Sequence, residues 1–410
     1  MIDRPAGAAG PAPHPALRRR EFLRRGGRAG LSVAALSLLA ACGIQRDDEG
    51  EGDAAPKLPP LAHELVIAQW PLYIDKKKGE SPTLQMFERT SGIEVTYKEV
   101  INDNQQFFAK LSEPLSQERS TGWDLIALSD WVVTKMARLG WLMELDHSLL
   151  PTVDREIGAE FQDPPYDPGN SHSIPWQGGI TGIAYNPRLA KRELSRFSDL
   201  WDESLAGHVG MLTEMVDTMN LTLLSLDIDP QTATVEDAEQ AQKRLIEQRE
   251  AGIVRGFYGN DYLDGLARGD LWATMAWSGD IFQLQLSDPD MRFVVPEEGG
   301  ILWATGLEIP AGAEHPRDAH AFMDFVYQPE IAAQIAEWVG YITPVPAAQE
   351  IILDHARDSQ GAGREYLETL ANSPLVFPTD DMKTNLHSYK VLSADEEEAW
   401  NDLFQEVVQG

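Results

Sequence analysis

Only one cysteine, Cys42, occurs among the 410 residues, so no disulfide can form within the chain and stability has to come from packing. Basic residues are few: 34 Lys and Arg face 65 Asp and Glu, for a formal net charge of −31. Such a chain has no basic face for a phosphate backbone and is not drawn by charge to anionic lipid. The acidic excess attracts cations, organic ones included, or serves solubility in a salt-rich habitat. Local catalytic signatures are missing as well. There is no HExxH, GxSxG, P-loop or EF-hand loop; His63 and Glu64 open like a zincin motif, but position 67 is Ile. Nine histidines are scattered without ligand spacing, so neither metal nor cofactor is expected. Carboxylate pairs need no local signature, which keeps a hydrolase using Glu214 and Asp217 as an alternative to a binding protein.

What is present begins at the N-terminus. Seven arginines in the first 41 residues face only Asp3 and Glu21, and the apolar run Leu31–Ala41 follows. Its eleven residues fall short of the ~20 that a membrane-spanning helix needs. Basic region, short apolar region and small residues together read as an export signal over 1–41. Arg19-Arg20-Glu21-Phe22-Leu23-Arg24 resembles a twin-arginine signal, and Leu39-Ala40-Ala41-Cys42-Gly43 a lipobox with Cys42 as the lipidated residue. Residues 42–60, acidic and rich in Gly and Pro, read as a solvated tether outside the cell membrane.

At 43% hydrophobic the chain can bury real cores, and its length of 410 residues suits two domains. Leu65–Ala68, Ile93–Tyr97 and Trp123–Leu128 read as strands, with helices at Leu84–Thr90 and Val133–Arg138. Strands follow at Ile183–Tyr185, Val209–Leu212, Trp272–Trp277, Phe293–Val295 and Leu307–Ile309, with helices at Asp217–Leu226, Ala238–Gln248, Asp318–Val326 and Glu330–Val339. Alternation of this kind implies an α/β layer fold whose ligands bind beyond the carboxyl ends of the strands.

Four tryptophans, Trp70, Trp131, Trp277 and Trp303, fall at or just beyond strand ends. Glu214 and Asp217 lie three apart at a helix start, and Asp280 follows Trp277 by three. Each Trp alone also fits a core, and the acid pair also fits the helix dipole. Together, ring faces and carboxylates are what an organic ammonium needs once it leaves water.

In order along the chain stand Gln69-Trp70-Pro71-Leu72-Tyr73, Trp123-Asp124-Leu125, Ser129-Asp130-Trp131, Ser173-Ile174-Pro175-Trp176 and Gly182-Ile183-Ala184-Tyr185-Asn186. Trp277-Ser278-Gly279-Asp280, Pro296 through Trp303, and Gly340-Tyr341-Ile342-Thr343-Pro344 follow. From Leu61 to Pro346 this series resembles the spermidine/putrescine-binding proteins of bacterial ABC importers. The resemblance implies a two-lobed periplasmic-binding-protein (type II) fold with crossover hinge strands near 175–178 and 303–306. Lobe one would comprise 62–174 and 306–346, lobe two 177–303 and 347–410. It implies a monomeric receptor with no catalysis, anchored here by the lipid expected on Cys42, whose partners are a polyamine, an ABC permease and its ATPase. Trp70 and Tyr73 match an aromatic and a hydroxyl of the cleft, Ser129 a hydroxyl, and Trp131 an aromatic that is often Tyr. Glu214 and Asp217 match acids that hold an amine, and Trp277 and Trp303 match the aromatic walls. At position 305 the family typically has Asp; Thr305 removes that charge. A changed pose, use of Asp280, or a different solute (sugar, amino-acid derivative, metal chelate) follows from that departure. Beyond Pro346 the resemblance fades, and the family's C-terminal glutamine has no counterpart near Tyr389.

Overall fold

The computed structural model describes residues 58–409, apart from 72, 78, 102 and 103. Cys42, the export signal and the tether up to residue 57 lie outside the described residues. Ten strands form one mixed sheet in the order β2-β1-β3-β9-β4-β7-β5-β6. They are β1 Glu64–Gln69, β2 Glu94–Glu99, β3 Leu125–Ile126, β4 Ser173–Tyr185, β5 Val209–Leu212, β6 Val254–Tyr258, β7 Ala273–Trp277, β8 Arg292–Val294, β9 Gly300–Glu308 and β10 Leu386–His387. β1 pairs in parallel with β2 and β3; β5 pairs in parallel with β6 and β7. The long antiparallel pair β4–β9 joins these two groups, with β8 on β4 and β10 on β9.

Local signals explain the first unit. Helix α1, Pro82–Ser91, starts with Pro82 after Ser81, whose hydroxyl accepts from the Leu84 amide, and ends at Gly92 with φ 72°. Its buried Phe87 and the buried Leu65 and Ile67 of β1 share one core. Helix α2, Asn104–Ser116, and helix α3, Asp130–Arg138, cover the other face with Phe107, Leu111, Val132 and Met136. Further on come α4 Met215–Leu224, α5 Val235–Glu250, α6 Ser278–Gln285, α7 Pro316–Val326 and α8 Pro329–Val339. Last are α9 Ala348–Asp358, α10 Ala362–Ala371 and α11 Ala394–Gln409. No helix among the described residues is long and apolar enough to cross a membrane.

The strand expected at Trp123–Leu128 pairs only over Leu125–Ile126. Asp124, just before the paired residues, donates its amide to the Val66 carbonyl (2.9 Å), while its carboxylate accepts from the amides of Val66 (2.8 Å), Glu314 (3.1 Å) and His315 (2.9 Å) and meets the His315 ring at 3.0 Å. Conversely, β4 runs unbroken over 13 residues where the sequence pattern shows a strand only at Ile183–Tyr185. Pro175 sits at a register shift in the β4–β9 ladder, where a missing amide is tolerated. The segment 347–410 divides. α9 and α10 pack together and α9 rests on α8, whereas α11 packs on α5 and α4. From α11, Glu397 reaches Lys135 (2.5 Å) and Arg138 (3.4 Å) on α3.

Asp124 therefore ties three stretches that are distant in sequence. Asp124→Ala removes the acceptor of three part-buried amides, each bond to a charged acceptor worth about 1–3 kcal/mol. Denaturant unfolding is expected to show a loss of about 3 kcal/mol or more with an unchanged slope.

Candidate ligand-binding site

Strand geometry brings the proposed residues together. The chain leaves β3 through Ala127 and Leu128 to Ser129, the residue before α3. Ser129 and the buried Asn104 bond reciprocally: the Asn104 amide donates to the Ser129 hydroxyl (2.9 Å), and the Ser129 N–H donates to Asn104 Oδ1 (3.2 Å). Ser129 also pairs with Thr305 of β9, and the Gly306 amide donates to the Leu128 carbonyl (2.8 Å). Along β4, Gly179 lies opposite Trp303 and Gln177 opposite Thr305, while Thr181 lies opposite Trp277 of β7.

Two linked sets of side chains result. In the first, Tyr73 is hydrogen-bonded with Thr305, and burial holds its hydroxyl above the usual range. Tyr341 stands between Tyr73 and Trp303, with ring centres 5.7 and 5.9 Å away. Asp280, on α6, accepts from Tyr341 (2.7 Å), Tyr262 (2.7 Å) and Asn260 (3.1 Å). In the second set, Asp217 on α4 accepts from Thr181 (2.5 Å), Tyr389 (2.7 Å) and the Trp277 indole (3.4 Å). Trp277 joins the sets, because its amide donates to the Tyr262 hydroxyl (3.1 Å) and the two rings meet edge to face. Glu214 directly precedes α4, one turn from Asp217. Trp131 lines a small cavity with Asp130, Tyr166, Met215 and Tyr389. Trp70 sits at the margin, its indole N–H donating to the Ala127 carbonyl (3.0 Å).

Burial dominates the electrostatics. It raises the carboxyls of Asp217 and Asp280 above the ordinary range, against the pull of their donors. Asp130 is pushed up to about 8, first by burial and further by Asp217, against the pull of two backbone amides. Glu308, fully buried on β9, is raised well above the usual carboxyl range. Among the described residues, no group of three or more His, Cys, Asp or Glu could hold a metal ion.

Sequence reasoning missed Thr181, Tyr262 and Tyr389, which no motif marks; only the fold brings them to the acids. Tyr341 stood in a recognised motif, and Asp130 beside Ser129, without being singled out.

Close approach needs two glycines. A Cβ on Gly179 would lie 2.3 Å from the Trp303 ring, and one on Gly279 would lie 2.4 Å from the Tyr341 ring. The tryptophan thus lies against bare β4 backbone, and the tyrosine against the first turn of α6.

Solved structures of periplasmic binding proteins match this mixed α/β fold. One, titled a putative spermidine/putrescine ABC transporter from Listeria monocytogenes, matches with TM-score 0.71 and 26% identity, over 84% of this chain and 99% of that one. A second, the spermidine/putrescine ABC transporter substrate-binding protein PotD of Streptococcus pneumoniae, matches with TM-score 0.70 and 25% identity, over 84% and 98%. The profile of the family described as bacterial extracellular solute-binding protein matches residues 83–359, and the chain belongs to that family. It is a solute-binding protein rather than an enzyme. It is also 28% identical to spermidine/putrescine-binding periplasmic protein 1 of Haemophilus influenzae, over 88% of this chain and 92% of that protein.

Two outcomes follow. In an open helix Gly→Ala gains up to about 1 kcal/mol. Gly279→Ala is instead expected to lose about 1–3 kcal/mol through overpacking against Tyr341, measured by thermal unfolding. The buried carboxyls keep protons that the unfolded chain releases above about pH 4. The folded state therefore binds more protons, and the unliganded protein should lose stability as pH rises toward about 8. Glu308→Gln has no proton to lose, and melting temperatures between pH 5 and 8 should fall less steeply in that variant.

Proposed function

We propose that this chain is the lipid-anchored, extracytoplasmic receptor of an ABC importer and carries a polyamine-like organic cation in a cleft between two lobes. The observation that carries the reading is the pairing of buried Asp217 with the Trp277 indole, with Glu214 one turn away. Carboxylates replace the hydration of an ammonium, and the ring face covers its methylenes. Names of the relatives point to the same ligand class. In this reading lobe one is 62–174 with 306–346, and lobe two begins at 177 and runs to 303. We group α9, which rests on α8, and α10, which packs on α9, with lobe one, and α11, which packs on α5 and α4, with lobe two. Binding closes the lobes about β4 and β9, and the closed form docks on the permease.

A second reading keeps the fold and changes the solute. The Trp303 indole N–H is buried without a hydrogen-bond partner, two residues before the uncharged Thr305. A solute with an acceptor at this end, such as an amino-acid derivative, would use that donor.

Calorimetric titration of the full chain in detergent with putrescine, spermidine, amino acids and sugars separates the readings. Tight diamine binding supports the first; an amino acid bound in its place supports the second. Trp277→Ala is expected to weaken diamine binding by about 0.5–2 kcal/mol. Thr305→Asp should tighten a diamine severalfold and weaken a neutral solute. For the anchor, wild type is expected in the detergent phase and Cys42→Ala in the aqueous phase; equal partitioning would overturn the lipoprotein assignment.

A further inference from the structure

The cavity beside Trp131 has a volume of about 30 Å³, room for one small polar group such as an ammonium. Its walls come from both sides of the proposed cleft: Asp130, Trp131 and Tyr166 on one side, Met215 and Tyr389 on the other. Asp130 is 4% exposed. Oδ1 accepts from the Trp131 amide (2.8 Å) and Oδ2 from the Ala304 amide (3.1 Å). Those two bonds occupy half of the roughly four acceptor positions of a carboxylate. Among the described residues Asp130 forms no ion pair. The cations at the cavity rim are engaged elsewhere: Lys135 and Arg138 with Glu397, and Lys390 with Glu396. The Ala304 amide adjoins Thr305, and Thr305 pairs with Ser129, which adjoins Asp130. A buried carboxyl without a counter-charge thus stands next to the position where the charge of residue 305 is missing.

We propose that Asp130 is the carboxylate that meets the second ammonium of a dicationic ligand, with Trp131, Tyr166 and Tyr389 as its aromatic surround. This rests on the polyamine reading above and adds a specificity residue to it. The arrangement also defines a proton balance. The titratable groups coupled to Asp130 are Asp217, Glu308 and the hydroxyls of Tyr166 and Tyr389, while Lys135, Arg138, Lys390 and Glu397 line the same cavity, each of the three cations paired with Glu397 or Glu396. With its pKa at about 8, the empty site holds the carboxyl largely protonated at neutral pH. An arriving ammonium favours the charged form, so the O–H bond breaks and the proton passes to the buffer.

The test titrates putrescine and butylamine into the full chain in detergent at pH 7, in two buffers of different ionisation heat. Wild type should release close to one proton more per putrescine bound than a variant without the Asp130 carboxyl. Asp130→Asn, whose side-chain oxygen can still accept from Ala304, should bind putrescine at least about tenfold more weakly, release about one proton fewer per putrescine bound and leave butylamine little changed. Adding Thr305→Asp to that variant should restore putrescine affinity, which also excludes misfolding as the cause of the loss. Wild-type affinity and proton release in Asp130→Asn would overturn the assignment while leaving the polyamine reading intact. Absence of binding by any amine to wild type would instead overturn the polyamine reading, and the assignment with it.

Discussion

Carboxyl groups in a dry place are the constraint on which the proposed site depends. Asp130, Asp217 and Asp280 are all buried, and the groups that hydrogen-bond to them are neutral: hydroxyls, an indole, an amide side chain and backbone N–H groups. Neutral donors orient a carboxylate without cancelling its charge. Burial then raises the cost of ionisation, and a cation entering from solvent lowers it. A lysine or arginine in the same position would have stabilised the empty protein and closed the site to cationic ligands.

The β4–β9 pair gives this chemistry its geometry. Register sets Trp303 over Gly179 and Thr305 beside Gln177, while Thr181 reaches Asp217 from the same strand. The glycines of β4 cost conformational entropy and supply no packing of their own, and their return is a close seat for an aromatic ring. The same two strands join the two groups of parallel strands, so any relative motion of those groups passes directly through the residues that line the site.

The C-terminal segment completes the site. Tyr389 donates to Asp217, and the Gln231 side chain donates to the carbonyls of Ser388 and Tyr389, fixing the stretch in place. Glu397, a few residues on, bonds to Lys135 and Arg138 of α3. One stretch of chain thus touches both the acid on α4 and the helix that begins with Asp130.

Much of this was legible in the sequence. Apolar runs such as Leu65–Ala68 and Val209–Leu212 mark their strands, and Gly92 marks the end of α1, because periodicity and capping are local properties. The acids at 214, 217 and 280 and the tryptophans at 277 and 303 stood out by composition and order. The extent of β4 did not, since Pro175 and three glycines mask its pattern and only pairing with β9 makes it a strand. Nor did the donors Thr181, Tyr262 and Tyr389, which lie 36, 18 and 172 residues from the carboxylates they serve. The sequence alone determined which residues could carry charge and ring faces. Tertiary structure decided which of them are dry, since burial and long-range hydrogen bonds exist only once distant segments pack together.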